Sequence, residues 1–380
     1  MQLVPLIIFT PYYKSYESHL FGFSAQLVYN DEWFVNMILE NKQIFVCRGV
    51  DLLTKVVPHL TLLECLQVMK ELIHKSRRKS RATKATHAMF IVFGMAVLVL
   101  HGLAIWSSSK LTSPSCVVPL RPWLTGNWCY CSVFKYNCFR AGTKTAMDAD
   151  LELLHDNTLN VLIFEHCPAL EMPAGIRRFQ QLLGLEVYNT TIAAWTIDAA
   201  ITRESHPDLA YLIMPFVNMS ALPEGILQPL PASLTDIEII HSNLSTLPND
   251  VIEPWQGLEH LDTLSLIGNQ LTAVSEFGQQ DRHYVFLSLG YNPISTLPSA
   301  VSKPLRIAFL SLEHTAIALL PDWIKHPWSD TYQIYLQGTP YCATSAPDAV
   351  QDDAIATCVH ADPRGDGRYP AAFTRQFRQL

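Results

Sequence analysis

The chain has 380 residues, enough for two or three domains, and a net charge of −7. The charge is uneven: residues 1–87 carry 11 Lys and Arg against 7 Asp and Glu, whereas residues 107–380 carry 16 against 27. This asymmetry argues against one homogeneous globule. The acidic C-terminal part excludes nucleic acid from the expected partners, because phosphate binding needs a basic face.

Residues 1–87 are predicted to form a helical N-terminal region, either cytoplasmic or at a membrane interface. Asp31 can cap a helix through 33–46, and Asp51 can cap a second helix over 52–73. The second segment carries four charged side chains, so we expect an amphipathic or packed helix, with a second membrane helix as the alternative. A signalling or assembly partner would bind through this region.

The segment 88–106 contains no Lys, Arg, Asp or Glu. As a helix it would reach roughly 28 Å, close to the ~30 Å hydrocarbon core of a bilayer, which predicts a transmembrane helix. Six Lys and Arg side chains lie within 75–84, just before it, and positive flanks stay cytoplasmic. We therefore expect a single-pass protein with a cytoplasmic N-terminus, membrane lipid around 75–106, and residues 107–380 in an extracellular or lumenal space.

Two features of residues 107–380 agree with that location. Sequons for N-glycosylation occur at Asn189, Asn218 and Asn243, and none precedes the apolar segment. Seven of the nine cysteines also follow it, where an oxidising compartment allows disulfides to form.

A repeat of the form L-x-x-L-x-L-x-x-N-x-L organises residues 159–341. Residues 261–271 match it at every anchor. At spacings of 23 to 27 residues, the second anchors fall at Leu162, Leu185, Leu212, Ile237, Leu264, Leu287, Leu310 and Ile334. A second motif, L-P-x-x-[IV], recurs in phase with four of the copies.

This pattern resembles the leucine-rich repeat family. The resemblance implies an α/β solenoid of about eight repeats, in which short parallel strands stack into one curved sheet and inward leucines form a core that no single repeat could bury. It also implies that the Asn position bonds to backbone groups of neighbouring coils. Asn stands there only at Asn269 and Asn292, and Val217 cannot form such a bond, so its turn should be irregular.

Cysteines lie at both ends of the repeats. The spacing of Cys342 and Cys358 resembles a disulfide cap, within a C-terminal cap and tail over 342–380. A Cys-rich N-terminal cap is predicted over 107–158; its members can form two disulfides in three connectivities, and a zinc site is the alternative. They are Cys116, Cys129, Cys131 and Cys138. Cys167 is then predicted to be a buried thiol at a repeat turn.

The side chains between the buried leucines are predicted to face the concave surface of the solenoid. Aromatic side chains interleaved with acidic ones are typical of a protein-binding face. The predicted ligand-binding residues are Glu186, Tyr188, Tyr211, Phe216, Glu238, His241, Phe286, Tyr291, Phe309, His314 and Tyr335. The alternative is a solvated sheet whose aromatic side chains only pack against each other.

We find no motif of nucleophilic, phosphate-binding or metal-dependent catalysis, so we expect no enzymatic activity, cofactor or metal. The leading hypothesis, implied by the resemblance, is a membrane-anchored, receptor-like protein that binds a protein or peptide. The alternatives are a structural subunit of a membrane complex assembled through the N-terminal helices, and a fragment of a longer membrane protein.

Overall fold

The structure is a computed structural model. It describes residues 10–17, 22–44, 56, 60, 62–67, 69–70, 81–111, 113–122, 126–247, 255, 258–274, 282–300, 305–325, 333–344, 355–359 and 370. Much of the helix predicted over 52–73, including its cap Asp51, lies outside these ranges, although 62–67 and 69–70 are helical.

In the N-terminal region, a short helical stretch over residues 10–15 precedes two short strands, β1 (Tyr16–Glu17) and β2 (Gly22–Phe23), which pair antiparallel. Helices α1 (Ala25–Val28) and α2 (Asp31–Ile44) follow. Helix α2 confirms the first predicted helix, but its cap is not Asp31. Asn30 Oδ1 accepts a 3.0 Å hydrogen bond from the backbone N–H of Trp33, which satisfies one of the free donors at the helix start.

Helix α3 (Arg81–Leu111) contains the apolar segment 88–106 and extends it at both ends, into the basic run before it and past Lys110 after it. In the part of the chain that the structure describes, no helix combines the length and the apolarity that a membrane crossing requires. The predicted transmembrane helix is therefore not supported.

The rest of the chain is built from short strands and turns. The strands are β3 (Cys116–Pro119), β4 (Cys131–Asn137), β5 (Val161–Glu165), β6 (Leu170–Glu171), β7 (Gly184–Tyr188), β8 (Ile192–Ala194), β9 (Tyr211–Pro215), β10 (Asp236–Ile240), β11 (Thr263–Ser265), β12 (Arg282–Ser288), β13 (Leu305–Ser311), β14 (Gln333–Tyr335) and β15 (Ala356–Thr357). The helices are α4 (Cys138–Ala141), α5 (Asp148–Glu152) and α6 (Pro340–Thr344), with 3₁₀ turns at Ala174–Arg178, Ile197–Ala199, Glu224–Ile226 and Asp322–Lys325.

Among the described residues, eleven strands form one sheet in the order β15-β14-β13-β12-β11-β10-β9-β7-β5-β4-β3. Every neighbouring pair is parallel except β3 and β4. The eight predicted anchors pair directly, from Leu162 beside Leu185 through to Leu310 beside Ile334. The predicted solenoid is confirmed, and β3 and β4 extend it at one end and β15 at the other.

The inward side chains of these strands form one continuous core. Leu162, Leu185 and Leu287 are fully buried, like most of the other anchors. Two of the L-P-x-x-[IV] motifs form 3₁₀ turns on the opposite side of this core, at Glu224–Ile226 and Asp322–Lys325. The core therefore continues from repeat to repeat, as solenoid stability requires.

The Asn position bonds across neighbouring repeats, as the resemblance implies. Asn269 Oδ1 accepts from the backbone N–H of Ser242 at 3.2 Å, and its Nδ2 donates to the carbonyl of Ile239 at 2.7 Å. Asn292 Nδ2 makes the equivalent bond one repeat later, to the carbonyl of Leu266, and its Oδ1 accepts from the backbone N–H of Leu271 at 3.1 Å. These side chains satisfy backbone groups that would otherwise be buried without partners.

The turn at Val217 is not irregular, contrary to the prediction. Phe216, the residue before it, has φ of 59°, a conformation that recurs at this point in the other repeats. The backbone N–H of Val217 donates to Ser242 Oγ at 3.1 Å, so the next repeat supplies the side-chain partner that this turn lacks.

Three disulfides close the two ends of the solenoid. The predicted bond between Cys342 and Cys358 is confirmed. The predicted pairing within the N-terminal cap is wrong, because Cys129 is a buried free thiol. The bonds that form are Cys116–Cys131 and Cys138–Cys167. Cys167 is therefore not a free thiol: β4 lies parallel to β5, which brings Cys138, at the end of β4, beside the turn that holds Cys167.

His206 is a fully buried histidine between two repeats. Its Nδ1 lies 2.9 Å from Ser205 Oγ, and its Nε2 lies 3.1 Å from the carbonyl oxygen of Ile176. Burial lowers the pKa of His206 to about 4, so the ring is neutral at physiological pH.

We expect His206 to make the fold less stable in acid. The unfolded chain binds the proton more tightly than the folded chain, so stability should fall by about 3 kcal/mol as the pH drops from about 6.5 to about 4. Urea unfolding at both pH values measures this loss. The His206→Gln variant should lose less than wild type over this range, whereas His260→Gln, at an exposed position, should behave as wild type. Equal losses in wild type and His206→Gln would contradict the assignment.

Candidate functional site

The N-terminal segment (residues 22–44) lies on the concave face of the first repeats. Val35, on α2, is buried against Val133 of β4 and against Val161 and Ile163 of β5. The alternation of strand side chains points these residues away from the leucine core. A helix from the beginning of the chain therefore covers the inner surface of the sheet.

Aromatic side chains of the N-terminal segment cover the next repeats. The Phe34 ring meets the Tyr211 ring of β9 edge to face, with ring centroids 6.2 Å apart. Tyr29 packs against an isoleucine cluster, and its hydroxyl donates a hydrogen bond to Glu238 Oε1. The cluster consists of Ile213, Ile240 and Ile267. The segment thus contacts strands from β4 to β10.

An ion pair ties α2 to the first strands. Lys135 Nζ of β4 lies 4.0 Å from Asp31 Oδ2 and 3.4 Å from Glu165 Oε1. These contacts place residues 22–44 and the repeats on the same side of any membrane. The predicted separation, with 1–87 in the cytoplasm and the repeats outside, is therefore not supported. A local bias of charge carries no information about which distant segments pack together.

The acidic side chains predicted to bind ligand are buried. Glu186 is 3% exposed and Glu238 is 0% exposed. Asp236 stands two positions before Glu238 on β10, so the two side chains point to the same face of the sheet. Burial raises the pKa of Asp236 to about 7, and burial together with the charge of Asp236 raises the pKa of Glu238 well above its usual range. Glu238 contacts Tyr29 of the N-terminal segment, and the buried Tyr188 packs against the rings of His166 and Phe216.

A second group of predicted site residues is half-buried on the concave face. Phe286 and Phe309 stack across β12 and β13, with ring centroids 5.1 Å apart and planes 16° apart. Tyr211, Phe216 and Tyr335 share this intermediate exposure. Part of each of these aromatic side chains is therefore accessible.

One position in every repeat has a left-handed backbone. It immediately precedes the Asn position, and we call its eight residues the left-handed row. They are His166, Asn189, Phe216, His241, Gly268, Tyr291, His314 and Gly338, with φ between 46° and 73°. Side chains other than Gly and Asn adopt this conformation at a cost, so its recurrence indicates that the strand-to-turn geometry imposes it.

The rings of the left-handed row stack along the edge of the sheet. Phe216 and His241 lie parallel, with centroids 5.5 Å apart, and Tyr291 and His314 have centroids 4.5 Å apart. The His241 ring covers Gly268: an added Cβ there would lie 2.2 Å from His241 Nδ1. Gly268 is therefore required both by its backbone conformation and by the neighbouring ring, and Gly338 lies under His314 in the same way.

Three rings of the left-handed row are exposed, namely those of His241, Tyr291 and His314, and 42% of Tyr291 is accessible. All three belong to the predicted binding residues. The structure thus divides that set into buried residues near the N-terminal segment, half-buried residues on the concave face, and exposed rings at its edge.

Comparison with known proteins agrees with this architecture. Fibromodulin from Oryctolagus cuniculus and fibromodulin from Sus scrofa are each 33% identical to the chain over 77 residues. Fibromodulin is a leucine-rich repeat protein. The chain is similar to the leucine-rich repeat family in this match and in its repeating strands. The aligned region is 20% of the chain, and the chain spans about half the length of these relatives, 50% in each case. No family model matches the chain.

Two solved leucine-rich repeat structures resemble the chain distantly. InlP from Listeria monocytogenes has a TM-score of 0.36 and 14% identity, over 52% of the chain and 56% of InlP. A leucine-rich repeat protein from Leptospira interrogans has a TM-score of 0.21 and 17% identity, over 48% of the chain and 67% of that protein.

An open cavity of about 530 Å³ lies at the first leucine-rich repeats, beside the left-handed row. The Cys138–Cys167 disulfide lines it, together with Phe216 and two of the predicted glycosylation residues, Asn189 and Asn218. Asn243 Nδ2 donates a 2.8 Å hydrogen bond to Asn218 Oδ1. All three sequon asparagines are exposed. Within the described ranges, no group of three or more His, Cys, Asp or Glu side chains is arranged to hold a metal ion.

The left-handed row was not identified as a structural unit from the sequence, although a signal was present. Gly268, Gly338 and Asn189 each stand one residue before the Asn position of the leucine-rich repeat, and these residue types favour positive φ. Aligning the eight copies on that column would have indicated one turn conformation for all of them.

Proposed function

We propose that the chain is a non-enzymatic recognition protein that binds a protein or peptide, and that the exposed rings of the left-handed row are its main contact. Support comes from the stacked, accessible rings of His241, Tyr291 and His314 at one edge of the sheet. Aromatic side chains are enriched among the residues that dominate binding energy in protein interfaces. The fibromodulin relatives support a binding role for this class of fold.

The geometry favours binding because the rings are already held in place. Each sits on a fixed turn and packs on a neighbouring ring of the row, so little side-chain freedom is lost when a partner arrives. The half-buried Phe286 and Phe309 provide further apolar surface on the concave side. Glu186, Glu238 and Tyr188, which are buried, would support this surface without touching a partner.

The proposed compartment is extracellular or secretory. Three disulfides support it, because such bonds persist in oxidising environments and are rare in the cytosol. The exposed sequons at Asn189, Asn218 and Asn243 are proposed to carry N-glycans there. A fall in mass on glycosidase treatment of the protein from a glycosylating cell would support this location, and an unchanged mass would contradict it.

The test of the contact surface is a triple variant, His241→Gly, Tyr291→Gly and His314→Gly. Glycine already stands at this position in two repeats, so the turns should keep their conformation. In a comparative pull-down with the full chain, proteins captured by wild type should be lost, with affinity falling at least roughly tenfold, since a contact ring contributes more than ~1 kcal/mol.

Leu319→Ala provides the matched control, because Leu319 is 82% exposed and lies outside the row. This variant should capture the same proteins as wild type. If the triple variant retains the wild-type melting temperature and captures the same proteins with the same affinity, the row is not the contact surface.

A further inference from the structure

The concave face changes character along the solenoid. The central column of side chains reads Ile163, Glu186, Ile213 and Glu238 in the first four repeats, and Ser265, Ser288 and Ser311 in the next three. The N-terminal segment contacts the isoleucine part: Val35 packs on Ile163, and Tyr29 packs on the cluster that contains Ile213. The apolar part of the column therefore coincides with the part that the segment covers.

The isoleucines indicate a docking surface for an apolar partner. Ile163, Ile213, Ile240 and Ile267 are at most 6% exposed, although they point to the side of the sheet opposite the leucine core. Without the N-terminal segment they would form an accessible apolar strip on the concave face. Such strips on soluble proteins mark interaction sites.

The contacts described for the segment are of mixed kind. Val35 is deeply buried with Leu39 packed beside its cluster, Tyr29 donates a hydrogen bond, Phe34 makes an edge-to-face contact, and Asp31 forms an ion pair at 4.0 Å. A short amphipathic helix that inserts aliphatic and aromatic side chains into an apolar groove is a recurrent mode of peptide recognition.

We propose that the N-terminal segment is an internal ligand of the isoleucine surface, formed by Ile163, Ile213, Ile240 and Ile267. It occupies this surface reversibly. While it is bound, it excludes external helices that carry the same pattern of aromatic, aliphatic and acidic side chains. The partner class is therefore an amphipathic protein helix that places a Tyr hydroxyl on Glu238, a branched aliphatic side chain on Ile163 and a carboxylate near Lys135. This surface does not include the exposed rings of His241, Tyr291 and His314, although Phe216 of the left-handed row packs against its isoleucine cluster. Different variants therefore test the two proposals.

Covalent attachment gives the N-terminal segment an advantage over any external helix. A tethered segment competes at an effective concentration that reaches the millimolar range for short flexible linkers, so displacement is needed before an external helix can bind. Weakening the internal contacts should therefore increase the apparent affinity for an external helix without changing the surface itself.

The test uses the full chain and a fluorescein-labelled synthetic peptide of residues 22–44 as the probe. In the Val35→Asp chain, a carboxylate replaces an aliphatic side chain that is 2% exposed, so the segment should leave the surface. Fluorescence anisotropy should then show peptide binding at least roughly tenfold tighter to the Val35→Asp chain than to wild type. A peptide carrying the same substitution should not bind.

Two controls make the outcome decisive. The Glu32→Lys chain, altered at an exposed position of the same helix, should bind the peptide as weakly as wild type does. The double variant Tyr29→Phe and Phe34→Ala removes contacts without burying a charge, and it should also increase peptide binding.

Hydrogen–deuterium exchange provides an independent measurement. It should show protection of residues 31–44 in wild type and its loss in Val35→Asp, while the strands around Leu287 and Leu310 stay protected. Equal peptide affinity for both chains, or no binding to a Val35→Asp chain whose repeats are intact, would overturn the proposal. Equal exchange of residues 31–44 in both chains would also overturn it.

Discussion

Raising the pH from about 5 to about 8 should release the N-terminal segment from the concave face. Glu238 lies beneath Tyr29, and its pKa is raised mainly by burial and then by the charge of Asp236. A raised pKa means that the docked state binds the proton more tightly than the open state. The docked state is therefore favoured at low pH and weakens as the pH rises through the raised pKa.

The groups that face Glu238 reinforce this direction. Asp236 and Glu186 are acidic, and Asp262 raises the pKa of Asp236 further. The Tyr29 hydroxyl donates a hydrogen bond to the ionised Glu238 carboxylate and lowers the pKa of Glu238, but burial raises that pKa by more. Each such carboxyl has a raised pKa in the docked state and its usual pKa in the open state. Between these two pKa values, each pH unit can shift the equilibrium towards the open state by up to tenfold.

Hydrogen–deuterium exchange of the backbone amides of residues 31–44, measured across this pH range and corrected for the intrinsic exchange rates, reports the release of the segment. The Glu238→Gln chain keeps an acceptor for the Tyr29 hydroxyl but cannot ionise there, so its protection should depend less on pH. Glu171→Gln, at an exposed position, should retain the wild-type dependence. A Glu238→Gln chain with the same pH dependence as wild type would contradict the assignment.

The largest loss of stability is expected from opening the Cys138–Cys167 disulfide. The bond closes a sequence separation of 29 residues and joins the end of β4 to the first repeat turn. In the chain-entropy model, such a loop contributes about 4 kcal/mol by restricting the unfolded chain. Cys138→Ser should therefore lower the free energy of unfolding in urea by about that amount.

A double-mutant cycle distinguishes the bond from the individual side chains. Cys138→Ser and Cys167→Ser should have similar effects, and the double variant should be little worse than either single variant, because one bond is lost in all three. Cys129→Ser removes a buried free thiol, so its loss of stability should simply add to that of Cys138→Ser when the two are combined. Additive losses for Cys138 and Cys167 would indicate that the two cysteines are not bonded.

The repeats could be predicted from the sequence because their signal is local and periodic. The anchors from Leu162 to Ile334 recur at spacings that allow only one register, and the structure pairs each with the next. The Cys342–Cys358 bond was predicted from the resemblance of its spacing to a disulfide cap, not from the period of the repeats. Strand β4 was missed because Phe134, which pairs with Leu162, lies in a cysteine-rich stretch without the full motif.

The covering of the concave face could not be predicted in this way. Tyr29 and Glu238 are 209 positions apart in the chain, and no period or spacing links them. Glu186 and Glu238 therefore looked like accessible acids on an open sheet, whereas both are buried and Glu238 is bonded to the distant Tyr29. The isoleucines at 163 and 213 carried the one available hint, because apolar side chains on a solvated face are unexpected.

The most direct test of this arrangement is zero-length carbodiimide cross-linking of the full chain, followed by peptide mass spectrometry. Carbodiimide joins a carboxylate to an amine only when they touch, and Lys135 lies between Asp31, at 4.0 Å, and Glu165, at 3.4 Å. We expect a peptide containing Lys135 to be linked to one containing Asp31. Detection of the Lys135–Glu165 link without any link to Asp31 would show that Lys135 reacts while the N-terminal segment lies elsewhere, which would contradict the account.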